Sequence, residues 1–278
     1  MRRSVVQRPL LLAAATLVTV AVVAFARVDV ACQTWQTQPA CYVAISPGPM
    51  VNAVDAVQIV RGPSHPTVGQ LLVTTIAVDE HLGVRSWIRS VASPAVATVR
   101  RDVFYPSLPP SEIHRRNAVA MSHSQQIATT VALGLLGYDL TASAADGNAP
   151  IDIRIDAGGV GGPSAGLMFS LGIVERLSAS DVAGGLIVAG TGTVDADGTV
   201  GPVGGVRQKL AGATLRDATV RADVFLVPRD NLSEARGAPV SRDIVVVPVD
   251  NVAGALDALG QLRAGVHPDG AFVLASAR

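Results

Sequence analysis

The sequence predicts a layered α+β fold with a membrane helix at its N-terminus. Three observations lead there. From Ile151 onward, short runs of Val, Ile and Leu alternate with segments of helical periodicity, the signature of strands and helices packed in layers. A long amphipathic pattern opens at Ser111, where Met121, Ile127 or Ala128, Val131 and Leu135 recur at three- and four-residue steps before Gly137. And residues 10–26 carry no charge, so as a helix they reach roughly 26 Å, just enough to cross a bilayer.

Taken in chain order, residues 1–27 read as a cytoplasmic tip and transmembrane signal-anchor. Arg2, Arg3 and Arg8 precede the apolar run, and this positive charge puts the N-terminus inside and the body outside. Ala24-Phe25-Ala26 has the small-x-small form of a cleavage site, so secretion after signal removal is the alternative. Residues 28–50 read as a stalk ending in a turn at Ser46-Pro47-Gly48-Pro49. It holds both cysteines, Cys32 and Cys41, candidates for a disulfide that would stiffen the stalk on the oxidising side; two free thiols are the alternative.

Residues 51–145 supply strands near Val54–Val60 and Leu71–Val78, a Pro-rich stretch, and the long helix. Residues 146–262 carry a strand at Ile151–Ile155, a Gly-rich loop at Gly158–Gly162 and a helix from about Pro163 to Leu177. After these come strands at 186–189, 224–227 and 244–249, a hairpin around Asp197-Gly198, and helices at 205–215, near Leu232 and at 252–262. Residues 263–278 are a tail.

Composition excludes several functions. Hydrophobic residues are 49% and charged residues 16%, and the 22 basic residues balance 22 acidic ones, so no basic surface asks for nucleic acid. The five histidines show no HExxH or i,i+4 pairing, which leaves a metal without support. Asp195-Ala196-Asp197-Gly198 lacks the twelfth-position acid of a calcium loop and reads as a turn. No Walker A sequence occurs, so neither ATP nor any other cofactor is expected.

Lysine occurs once, at Lys209, among 22 basic residues. Coding bias toward Arg explains the other 21, yet Arg cannot release its proton, whereas a desolvated Lys can. A lone Lys is what a need for a neutral amine would leave; chance is the plain alternative. Gly162-Pro163-Ser164-Ala165-Gly166 formally matches the G-x-S-x-G elbow of α/β-hydrolases, but a Gly-rich loop separates Ser164 from the preceding strand. The sole later histidine, His267, stands near the end of the chain. The same segment puts Ser164 in the first turn of a helix, where unpaired N–H groups can face an oxyanion, or where Ser164 is simply a cap. With no placed histidine, Lys209 is the available base.

Gly161-Gly162-Pro163-Ser164-Ala165-Gly166, then Gly190-Thr191-Gly192-Thr193, then Gly201-Pro202-Val203-Gly204-Gly205-Val206-Arg207-Gln208-Lys209 resemble, in order and spacing, the proteolytic domain of Lon-type serine peptidases. The resemblance is strongest over 150–260 and extends back to Met121-Ser122-His123-Ser124-Gln125. It implies the ribosomal protein S5 domain 2-like variety of α+β fold. It also implies Ser164 as nucleophile, Lys209 as its base and Thr191 as the partner of the lysine; the backbone N–H groups of Gly161, Gly162 and Ser164 at the helix start are then the expected oxyanion hole.

With the N-terminal span, the chain resembles the membrane-anchored, ATPase-free bacterial branch of that family, without its PDZ insert: a dozen residues between Tyr138 and Ile151 are too few for one. Gly161 also departs from the acid many Lon enzymes carry there. The expectation is an ATP-independent endopeptidase acting at the outer membrane face on unfolded or delivered protein or peptide, with a homo-oligomer allowed by the resemblance. A catalytically silent Lon-like scaffold at the membrane is the alternative, and an esterase using Ser164 and His267 is a third.

Overall fold

A computed structural model of the chain describes residues 15–20, 42–80, 90, 92–104, 110–138, 151–215 and 220–276. The elements are β1 (Tyr42–Asn52), α1 (Ala53–Ala56), β2 (Val57–Arg61), β3 (Gln70–Asp79), β4 (Ala97–Arg100), α2 (Arg101–Phe104), α3 (Pro110–Leu135) and β5 (Asp152–Ile155). They continue through α4 (Gly166–Leu177), β6 (Ile187–Gly190), β7 (Thr193–Val194), β8 (Val200–Gly201), α5 (Val206–Thr214) and β9 (Val224–Pro228). The last are α6 (Leu232–Arg236), β10 (Ile244–Val249), α7 (Val252–Arg263) and β11 (Phe272–Leu274).

Seven strands form one mixed sheet in the order β11-β10-β9-β6-β3-β1-β4, with β2-β5 and β7-β8 as separate pairs. The inner strands β3, β6, β9 and β10 run parallel, while β1 and β11 pair antiparallel at their outer sides. The parallel strands read as unbroken apolar runs because both faces are covered. Along β9, Val224 and Leu226 pack with α3, α4 and α7 residues such as Ala128, Phe169 and Leu259, whereas Phe225 and Val227 face the opposite core with Leu210 and Ala235 of α5 and α6. Leu71 and Val73 of β3 join the first core and Leu72 the second. The α+β expectation holds, as helices and a mixed sheet in three layers.

Several boundaries differ from the sequence reading. The stalk expected over 28–50 stops short, because residues 42–50 form most of β1, an interior strand held between β3 and β4. Ser46-Pro47-Gly48-Pro49 is no turn: the prolines lack the N–H a ladder needs, and the strand absorbs them as an irregularity between Pro47 and Met50. Thr75 Oγ1 donates to the Pro49 carbonyl across it at 2.6 Å. The run at Val54–Val60 splits into a helical turn and β2, since the Asn52 side chain accepts from Val54 N–H and caps α1. The tail at 263–278 includes β11, which pairs with β10. Leu135, expected on the buried stripe of α3, is 45% exposed; Leu136 and Tyr138, in the turn that follows, fold onto the core instead.

Cys32, Cys41, the Ala24-Phe25-Ala26 site and the short connection at 139–150 lie outside the described residues, as does most of the apolar run. Residues 15–20 of that run are helical and exposed. No helix among the described residues is long and apolar enough to cross a membrane.

Candidate active site

The nucleophile candidate sits where a glycine loop feeds a helix. Pro163–Ala165 is a single 3-10 turn that runs directly into α4, and Pro163 takes the first position because its missing N–H would have no partner there. Gly162, just before it, holds φ 92° and ψ 164°, a region open in practice only to glycine. Thus Gly162-Pro163 forces a sharp entry, and Ser164 is presented at the helix mouth. The Ser124 hydroxyl of α3 donates to the Pro163 carbonyl at 3.0 Å and pins the turn from behind.

Thr191 follows directly on β6. Its N–H donates to the Leu226 carbonyl, Gly192 N–H donates to the Ser164 carbonyl at 2.9 Å, and Leu167 N–H donates to the Gly192 carbonyl. The flanking glycines make this approach feasible. A Cβ on Gly190 would stand 2.5 Å from Met168 Sδ, and one on Gly192 would stand 2.8 Å from Val200 Cγ1.

Lys209 arrives from the opposite side of the sheet, on α5, and its side chain is 3% exposed. The amine lies 3.0 Å from Ser164 Oγ and 3.0 Å from Thr191 Oγ1. Thr191 Oγ1 donates its own hydrogen to the Ser164 carbonyl at 3.1 Å, so it meets the lysine as an acceptor. An amine N–H is thereby drawn to Thr191, which turns the nitrogen lone pair toward the serine hydroxyl. Burial penalises the charged form and pulls the Lys209 amine down to about 8, while the negative charge of Glu234 resists the shift.

The three side chains converge where β3 runs on past the end of β6. Beyond Val73, which is level with Gly190, no β6 residue pairs with β3. This opens a groove of about 1090 Å³. One wall is the continuing β3 with Thr74, Thr75 and Ile76, and the other is α3 with Asn117 and Met121. Ser164 and Lys209 form the floor. Ligand sites at the carboxyl ends of parallel strands follow the same logic, since loops there diverge and leave a crevice.

Of the three oxyanion donors expected, Gly162 is ruled out, because its N–H already donates to the Asn117 carbonyl at 2.9 Å. The packing of that loop on α3, close enough that a Cβ on Gly161 would lie 3.2 Å from Asn117 Cβ, fixes the bond. The N–H groups of Gly161 and Ser164 have no acceptor among the described residues. His267 does not line the groove, so the histidine-dependent arrangement lacks its base. No group of side chains suited to a metal occurs among the described residues, and Asp195–Gly198 is the turn of the β7–β8 hairpin, with Gly198 N–H donating to the Asp195 carbonyl.

Asn117, Asn231 and Glu234 take part around the site without having been read from the sequence. Their role is carried by contacts across the fold, and no local motif marks them. No curated protein matches the chain's sequence. The family model of the Lon protease (S16) C-terminal proteolytic domain matches residues 118–260, a span that takes in most of the long helix, the Ser164 turn, Thr191 and Lys209. On that match the chain belongs to the Lon protease proteolytic-domain family, a family of serine peptidases.

Proposed function

We propose that the protein is an ATP-independent serine endopeptidase in which Ser164 and Lys209 form a catalytic dyad. The observation that carries this reading is the buried amine of Lys209, 3.0 Å from the Ser164 hydroxyl in a groove open to an extended chain. Neutral Lys209 accepts the Oγ–H proton as Oγ bonds to the substrate carbonyl carbon. The amine then returns that proton to the departing nitrogen as the C–N bond breaks. In deacylation, water gives a proton to the same amine, its oxygen attacks the ester carbon, and the proton passes back to Ser164 Oγ as the ester opens. Gly161 and Ser164 N–H groups supply the oxyanion donors, and Thr191 keeps the lone pair aimed.

A groove bounded by the edge of β3 that β6 leaves uncovered suits an unfolded segment lying as an added strand, and a folded domain would not enter it. The uncharged run 10–26 with its preceding arginines supports a body at the outer face of the membrane; carbonate-resistant membrane association and protease accessibility from outside test that reading.

The test of the dyad is cleavage of a fluorescent unfolded protein, with and without Ser164→Ala and Lys209→Arg. Both variants are expected to lose activity by about 10³-fold or more. Lys209→Arg is the sharper of the two, because it keeps the charge but cannot accept a proton. Activity persisting in Ser164→Ala ends the proposal.

A further inference from the structure

Lys209 reaches Ser164 from a buried helix, but the loop that leads into this helix is rich in glycine and has few side chains of its own to fix it. The chain from Gly201 to Gly205 contains three glycines, a Cβ on Gly204 would touch nothing within 4 Å, and Gly205 sits at φ 72° as an N-cap with no side-chain hydrogen bond to offer α5. Such a loop has many conformations to lose. Yet Pro202 to Gly205 form part of the groove wall, and α5 must hold Lys209 within hydrogen-bonding distance of Oγ.

The missing constraint comes from the short turn and helix after β9. Asn231, 8% exposed, grips the backbone of Val203 at both ends: Oδ1 accepts Val203 N–H at 2.8 Å and Nδ2 donates to the Val203 carbonyl at 3.0 Å, the pairing a neighbouring strand would make. Nδ2 also donates to Glu234 Oε2 at 3.3 Å, and Glu234 Oε1 accepts the N–H of Arg207, in the first turn of α5, at 3.4 Å. A carboxylate from another helix thus occupies the place of the absent cap, at the end of the helix dipole that favours negative charge.

We propose that Asn231 and Glu234 are positioning residues for the Ser164–Lys209 pair. Asn231 locks the glycine-rich groove wall, and Glu234 caps the lysine helix while its charge opposes release of the proton from the amine. This rests on the dyad reading. Among the described residues, Glu234 is the charged group that bears on the Lys209 amine. The other charged or titratable residues of the elements packed on α5 are Arg207 on α5 itself, Arg236 on α6, Asp79 on β3 and Tyr42 on β1; β9 has none, and Arg229 and Asp230 follow it.

The two residues separate experimentally. The rate at which a fluorophosphonate probe labels Ser164 in the full-length chain, measured from pH 6 to 10, reports the base without requiring a known substrate. Glu234→Gln keeps an acceptor for Arg207 N–H but removes the charge, so the midpoint of the pH–rate curve is expected to move to lower pH and labelling at pH 7 to rise about threefold, with Tm unchanged. Asn231→Ala is expected to slow labelling at every pH without moving the midpoint. Asn231→Asp keeps the acceptor for Val203 N–H but sets a carboxylate against the Val203 carbonyl and Glu234, so it should slow labelling too, and it serves if the alanine variant fails to fold. A midpoint unmoved in Glu234→Gln, or unaltered labelling in both Asn231 variants, overturns the proposal. Labelling that survives Lys209→Arg instead overturns the dyad itself.

Discussion

Lys209 is costly to the fold and, on the dyad reading, useful to the chemistry for the same reason. Its amine ionises near 8 when folded and near 10.5 when unfolded, so the unfolded chain holds its proton more tightly. The resulting penalty is fully present below pH 8 and fades as the pH rises through 10.5. Lys209→Met removes it while keeping the volume. At pH 7 the variant should be more stable than the wild type, by at most about 3 kcal/mol, the equivalent of the shift, and the difference should vanish by pH 11. Chemical denaturation at both pH values measures it. The corresponding activity profile climbs about tenfold per pH unit below 8 and levels above it, since at pH 7 roughly one amine in ten is neutral. A peptidase rate flat between pH 6 and 9 would contradict a lysine base. The singular lysine could be seen in the sequence, but its neutral form depends on burial, which no run of letters states.

Helix α4 shows how an element carries both core and site. Its N-terminal turn presents Ser164, and its body is buried almost throughout, Leu167 to Val174. Near its far end Glu175 is 1% exposed; Oε2 accepts the N–H groups of Val182 and Ala183 at 2.7 and 3.1 Å, and Oε1 has no hydrogen-bond partner among the described residues. Burial, with Asp181 nearby, raises this acid above the usual carboxylate range despite those two bonds. Its ionised form therefore destabilises the fold above the folded-state pKa, and the cost disappears as the pH falls to that of the free acid. Glu175→Gln, which still accepts both N–H groups, is expected to raise Tm by roughly 3 °C at pH 7 and by nothing at pH 4. Equal melting points at pH 7 would mean that the fold does not raise the acid's pKa at all. Helical periodicity located α4 and α3 to within a few residues. It missed the exposure of Leu135, because a helix pattern continues to its last residue whether or not anything covers it.

The sheet joins what the sequence divides. Strand β3, with β1 on its outer side and both upstream of the long helix, pairs with β6 and through it joins β9 and β10, so residues assigned to separate segments share one hydrogen-bonded layer. The C-terminal β11 covers the outer edge of β10 through Ile244↔Leu274, Val245↔Val273 and Val246↔Phe272. Ending the chain after Gly265 bares that edge. Such a chain should lose stability by about 2 kcal/mol or more and associate at high concentration, as unpaired edges do. Because β10 lies two strands from β6, the fraction that remains folded should retain full reactivity at Ser164. Sedimentation and active-site titration separate the two effects.

Local chemistry was enough to mark Ser164 and Lys209 and to order the strands and helices, and the motifs pointed to the Lon family, whose resemblance added Thr191. Glycine spacing, proline placement and apolar period act over a few residues and are written into neighbouring letters. The meeting of an amine and a hydroxyl 45 positions apart, from opposite faces of a sheet, is of another kind. It needs β6 to stop where β3 continues and Asn231 to hold Val203. It needs Gly162 as well, whose N–H is bound to Asn117 and lost to the oxyanion. Those outcomes rest on contacts between distant segments, where geometry and exclusion of water set the energies, and they came into view when the chain was seen folded.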